Sequence, residues 1–178
     1  METEPLRKHL LDLLATWRRE GLPSWTQAYQ SGQALLGWKT EQKIGGLWER
    51  PPQLVTATLD DSIGQGLKMI HLFSEVAGVV VRPLGLMQLS EHIITACHNY
   101  QPDMLGLTVL QLDTVEMLDH IAENIPDETH VLVGGPAFKL MPAAELCLKS
   151  YRVLNDVAAY LAFLLDEEAF KPYRFRSS

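Results

Sequence analysis

The chain is predicted to fold as α/β: a doubly wound, five-stranded parallel sheet of order 2-1-3-4-5, preceded by a small N-terminal helical piece. Three observations lead there. From Leu54 onward, short apolar runs alternate with stretches of helical period, the signature of repeated strand–helix crossovers. Cap-forming residues stand where several of those helices should start. The composition, 178 residues at 47% hydrophobic and 21% charged, suits one globular domain with a sizeable core.

Leu6, Leu10, Leu13, Leu14 and Trp17 recur at spacings of three and four behind Thr3 and Pro5, which predicts a first helix stopped by Gly21 and Pro23. Ser24 with Gln27 three residues on is a capping box, so a second helix is expected through Ala28, Leu35 and Leu36, ending at Gly37. The stretch from Trp38 to Gln53 holds Gly45-Gly46 and Pro51-Pro52 and reads as a connection, its Ile44, Leu47 and Trp48 tucked inward. The division expected is a helical segment and linker over 1–53, then the α/β domain over 54–178. Within that domain the strands are expected at Leu54–Leu59, Val79–Leu84, Met104–Val109, Val131–Val133 and Tyr151–Leu154. The helices are expected at Gly66–Phe73, Leu89–Tyr100, Thr114–Asn124, Pro142–Leu148 and Val157–Glu167. Asp113 with Glu116 forms another capping box, and Asp156 is placed to cap the last helix. Pro83 cannot donate to a central ladder, which puts the second strand at an edge.

A net charge of −7 argues against a broad phosphate-binding surface, so nucleic acid is not an expected partner. The acidic start Met1-Glu2-Thr3-Glu4-Pro5 is unlike a signal peptide, and no apolar run reaches the ~20 residues needed to span a bilayer. A cytoplasmic protein without membrane contact is expected. Cys97 and Cys147 stand apart with no ligand spacing and read as small buried hydrophobes. No nucleophile with its base, no paired catalytic carboxylates and no zinc-ligand cluster emerges, so no catalysis is expected of this chain alone.

Open parallel sheets bind ligands beyond the carboxyl ends of their strands, where the winding reverses. For this strand order that point lies between the first and third strands. The loops to search are therefore Asp60–Gly66 and Val109–Asp113, with Gly134–Phe138 alongside.

Those loops carry Asp61-Ser62-Ile63-Gly64-Gln65-Gly66 after the first strand, Leu84-Gly85 after the second, Thr108-Val109-Leu110 after the third and Gly134-Gly135-Pro136-Ala137-Phe138 after the fourth. Pro102-Asp103 leads into the third strand. In this order they resemble the cobalamin-binding domain of methionine synthase, corrinoid methyl carriers, mutases and B12-dependent light sensors. That family shows Asp-x-His-x-x-Gly, Leu-Gly, Ser-x-Leu and Gly-Gly at the corresponding places. The resemblance spans residues 54 to about 165. It implies that these sixteen loop residues line a site for cobalamin or another corrinoid, with haem as a further tetrapyrrole candidate. Small residues would let backbone approach the ligand, and Thr108 would supply the hydroxyl of the family's serine.

The sequence departs from the family at the residue that bonds cobalt. In the gapless frame Ile63 stands at the histidine position, and sliding the frame puts Asp61 or Gly64 there, so no frame supplies a histidine. Cys147-Leu148-Lys149-Ser150 replaces the usual Gly-Ala-Asp approach to the fifth strand. His71, His92, His98, His120 and His130 lie elsewhere and read as solvated or hydrogen-bonded structural residues. Cobalamin-binding portions of radical-SAM methyltransferases bind without a lower histidine, but the iron–sulfur cysteine motif of those enzymes is missing here. The resemblance thus implies a corrinoid or tetrapyrrole carrier or sensor without histidine ligation, partnered by a methyltransferase or a regulatory protein. The rival expectation is a regulatory or protein-interaction module that has lost the cofactor. Asp60-Asp61 also resembles the acid pair of phosphorelay receivers, yet Thr108 stands where a receiver needs its phosphorylated aspartate. Two acids after the first strand suit a flavodoxin's phosphate loop poorly. Trp17, Trp25, Trp38 and Trp48 all precede the sheet and are expected in core or docking roles, with an aromatic cap over the ligand as a further reading.

Overall fold

The computed structural model describes residues 4–60, 64–111, 115–140 and 151–166. The first helix, α1, runs Glu4–Glu20 and buries Leu6, Leu10, Leu14 and Trp17, a single stripe at helical spacing. Thr3, its expected cap, lies outside the described residues. The second, α2, runs Trp25–Glu41. Its capping box is formed in both directions: Gln27 N–H donates to Ser24 Oγ at 3.3 Å, and Ser24 N–H donates to Gln27 Oε1 at 2.9 Å.

Gly37 does not end α2, contrary to the sequence-based expectation. An interior glycine costs only about 1 kcal/mol against alanine. The turn beyond it is held by Lys39, which is buried and donates from Nζ to the Glu75 carbonyl at 2.5 Å. The connection therefore starts later than expected. Its Ile44, Leu47 and Trp48 are buried, and Leu47 N–H donates to the Ala77 carbonyl at 2.8 Å.

The strands are β1 (Gln53–Thr58), β2 (Val80–Gly85), β3 (Met104–Thr108), β4 (His130–Gly134) and β5 (Arg152–Val153). Between them run α3 (Gln65–Ala77), α4 (Ser90–Tyr100) and α5 (Val115–Glu123), and α6 (Val157–Leu165) follows β5. The sheet is parallel with order β2-β1-β3-β4-β5. Leu54 pairs with Met104 and Thr58 with Thr108; Met104 pairs with His130 and Thr108 with Gly134. Leu54 to Thr58 are all buried, as a strand covered on both faces requires. Pro83 sits in the edge strand β2. Asp156 caps α6, its Oδ1 accepting from Ala159 N–H at 2.8 Å. A short 3-10 turn over Pro136–Leu140 was not foreseen. The expected helix Pro142–Leu148, the Asp113 cap and Cys147 lie outside the described residues.

Two compact units divide these elements. One comprises Met1–Pro52, Lys68–Val80 and Asp156–Ser178. Within it Arg7 Nη2 donates to the Leu165 carbonyl at 3.2 Å, Trp17 meets Phe73 edge-on at 5.7 Å, and Ser74 and Tyr160 share a buried hydrogen bond of 2.6 Å. The other comprises Gln53–Leu67 and Val81–Asn155 and holds the sheet. Its core joins Val55, Ala57, Leu105, Leu107, Val131 and Val133 of the strands to Ile93 and Cys97 of α4 and Leu118 and Ile121 of α5. The alternation along each strand is the two-residue period of a sheet face. Among the described residues, no helix is long and apolar enough to cross a membrane.

Candidate functional site

The carboxyl ends of β1 and β3 are tied together by a side chain the sequence reading did not single out for this role. Asp60 is buried just past β1, and its Oδ2 accepts from Leu110 N–H at 2.6 Å. A carboxylate accepting a backbone N–H is a charge-assisted bond, stronger than a neutral one. Thr58 makes the second tie: its Oγ1 donates to the Asp60 carbonyl at 3.0 Å and accepts from Met87 N–H at 3.1 Å. Gln88 N–H donates to the Thr58 carbonyl at 2.8 Å. Loops after β1, β2 and β3 are thereby fixed against one another at the switch point. The signals for these two residues were an acid closing an apolar strand and a threonine inside one. In the sequence the first resembles only one half of a receiver's acid pair.

The remaining loop residues divide by where they face. Asp61, Ser62 and Ile63 lie outside the described residues. Gly64 has φ +67°, a left-handed turn immediately before α3, whereas Gly66 lies within the first turn of that helix. Gln65 and Gly66 are exposed, and among the described residues nothing lies within 4 Å of where a Cβ would stand on Gly64 or Gly66. Leu84, Gly85, Thr108 and Leu110 are half-buried, and Pro136 is exposed. Val109, Ala137 and Phe138 are buried in the core of the sheet unit, Phe138 meeting Tyr151 at 6.0 Å. The Gly-Gly pair is enclosed by the chain's own backbone. A Cβ on Gly135, whose φ is +124°, would collide with the Val109 carbonyl, and one on Gly134 would stand 3.1 Å from the Leu154 carbonyl.

The histidines do not converge. His92 Nδ1 is 2.5 Å from Gln88 Oε1, His98 Nε2 is 2.9 Å from the Asn124 carbonyl, and His120 Nε2 is 3.0 Å from Glu91 Oε1. Burial lowers the His71 imidazole below its usual range and pushes the Cys97 thiol up to about 11. Among the described residues no group of three or more His, Cys, Asp or Glu side chains could hold a metal ion. Of the tryptophans, Trp17 and Trp48 are core residues, Trp38 is half-buried with His9 edge-on at 4.3 Å, and Trp25 is exposed and stacked on Tyr29 at 4.9 Å.

Gly64 and Gly66 thus present bare backbone, and Thr108 a half-buried hydroxyl, at the carboxyl end of the sheet. The B12 binding domain model matches residues 54–159. The chain belongs to the B12-binding domain family.

Solved structures share the fold of this B12-binding chain at low identity. A cobalamin-binding protein from Desulfitobacterium hafniense is similar at 13% identity and a TM-score of 0.71, over 91% of this chain and 82% of that one. The monomethylamine corrinoid protein of Methanosarcina barkeri is similar at 12% identity and a TM-score of 0.56, over 91% and 97%. A chain of the methanol:cobalamin methyltransferase complex of the same organism is similar at 16% identity and a TM-score of 0.58, over 94% and 69%. No curated protein matches in sequence.

Proposed function

We propose that this B12-binding protein is a corrinoid carrier or sensor that holds its ligand without a histidine bond to cobalt and serves a methyltransferase or regulatory partner. One observation carries the reading: within a matched B12-binding domain, the loop from Leu59 to Gly66 contains no histidine. In the gapless frame Ile63 stands at the histidine's position, and sliding the frame brings Asp61 or Gly64 there. A bound corrinoid would supply cobalt chemistry, such as carrying a methyl group. The chain's own part is to bind and orient.

Gly64, Gln65 and Gly66 would admit the ligand against bare backbone, and Thr108 would offer it a hydroxyl. Asp60 and Thr58 would hold the surrounding loops in register. Binding would rest with residues 54–178, the segment 1–53 being an accessory helical piece. The methyltransferase in the name of one structural neighbour's complex supports the partner proposed.

The test is to mix purified protein with hydroxocobalamin, methylcobalamin or haem, desalt, and record the visible spectrum. Colour retained with a corrinoid is the expected result. Colourless protein after every ligand would overturn the reading and leave the cofactor-free regulatory module. Gly66→Trp places a bulky ring at an exposed glycine and should abolish retention. Unchanged retention would place the ligand elsewhere.

A further inference from the structure

The loop after β2 breaks local rules at two neighbouring positions. Met87 holds φ +52°, a left-handed conformation in which glycine and asparagine are at home and an unbranched apolar side chain is costly. Leu89 is the N-cap of α4, with φ −74° and ψ 145° and no side-chain hydrogen bond to the helix. Serine, threonine, aspartate or asparagine there would satisfy an orphan N–H that leucine leaves to solvent.

Neither residue is repaid by burial. Leu86, Met87 and Leu89 are 47%, 63% and 73% exposed, a run of large apolar side chains in water. The loop is not loose either. Thr58 grips the backbone of Met87 and Gln88, and the Gln88 side chain donates from Nε2 to the Leu86 carbonyl at 2.9 Å. Positions that break local rules without internal compensation are where function is expected to impose the residue.

We infer that Leu86, Met87 and Leu89 form an apolar ledge that packs against the corrin macrocycle. Charge selects this occupant. Gly85-Leu86-Met87-Gln88-Leu89 carries no formal charge in a chain of net charge −7, and it offers apolar carbon with one amide. That composition complements a neutral ring with an apolar face and an amide-bearing edge. Position agrees, because the bonds to Thr58 tie the backbone of Met87 and Gln88 to the last residue of β1, at the carboxyl end of that strand. Where cobalt has no histidine bond, such contact would supply part of the affinity that the bond otherwise gives.

The inference rests on the corrinoid reading, and its test separates the two. Leu89→Ser installs a helix cap and Met87→Asn suits the left-handed turn, so both variants should fold with thermal midpoints equal to or above that of the wild type. Hydroxocobalamin titrations should show affinity weakened about tenfold for each change and about a hundredfold for the pair. A wild type that binds no corrinoid overturns both readings. A wild type and double variant that bind equally overturn the ledge alone, leaving the carrier reading intact and giving the apolar run to a protein partner. A double variant with a lowered midpoint also overturns it, since the residues would then be serving the fold.

Discussion

Single residues decide which glycines the fold itself requires. Gly135 is needed by the chain itself, because its left-handed φ and the Val109 carbonyl leave no room for a Cβ. Gly66 sits in open space within a helix. Gly135→Ala should therefore lose about 2 kcal/mol or more in urea unfolding, while Gly66→Ala should gain up to about 1 kcal/mol. Equal effects would mean that the two glycines do not differ as described. His71 gives a pH signature. Burial holds its folded imidazole below the ordinary value of 6.5, so as pH falls the unfolded chain takes up the proton first. Its contribution is complete above the unfolded value and is lost as pH drops through and below it. The stability gap between pH 7.5 and pH 5 should narrow in His71→Gln, and an unchanged gap would refute the assignment. Residue identity alone could not show that Val109, Ala137 and Phe138 would be buried in the core of the sheet unit, because an apolar side chain after a strand serves core and pocket equally well.

Elements were legible in proportion to how local their causes are. The Ser24–Gln27 box and the Asp156 cap act within four residues of chain, and both formed as expected. Gly37 failed as a stop because the causes that override it, such as the Lys39 contact with the Glu75 carbonyl, come from far along the chain. The tie from Asp60 to Leu110 spans 50 residues and had only a weak signal in the sequence. Leu89 as a helix cap was hidden for a related reason: Ser90 beside it is the better cap by type. Ser24→Ala should cost about 1 kcal/mol, with faster amide exchange confined to the first turn of α2. Asp60→Ala should cost about 2 kcal/mol, since it strands a backbone donor and frees two loops. The Leu110 amide should then exchange at the rate of an open loop. Retained protection at that amide would show that the carboxylate is not what holds it.

At the scale of the whole molecule, alternating apolar runs and helical periods sufficed for the sheet and its order, because each crossover helix must cover near-continuous apolar strands. They could not decide how the ligand is held, since that turns on one loop position in an otherwise matched domain. The central claim is that the corrinoid is bound without a histidine nitrogen on cobalt. Its most direct test is electron paramagnetic resonance of the reduced, one-electron cobalt state bound to protein labelled throughout with the spin-one-half isotope of nitrogen. A protein nitrogen on cobalt would split each cobalt hyperfine line into two. A nitrogen from the unlabelled cofactor would split each into three, and an oxygen or no ligand would add no such splitting. The expected spectrum shows triplets or no added splitting; doublets would contradict the account.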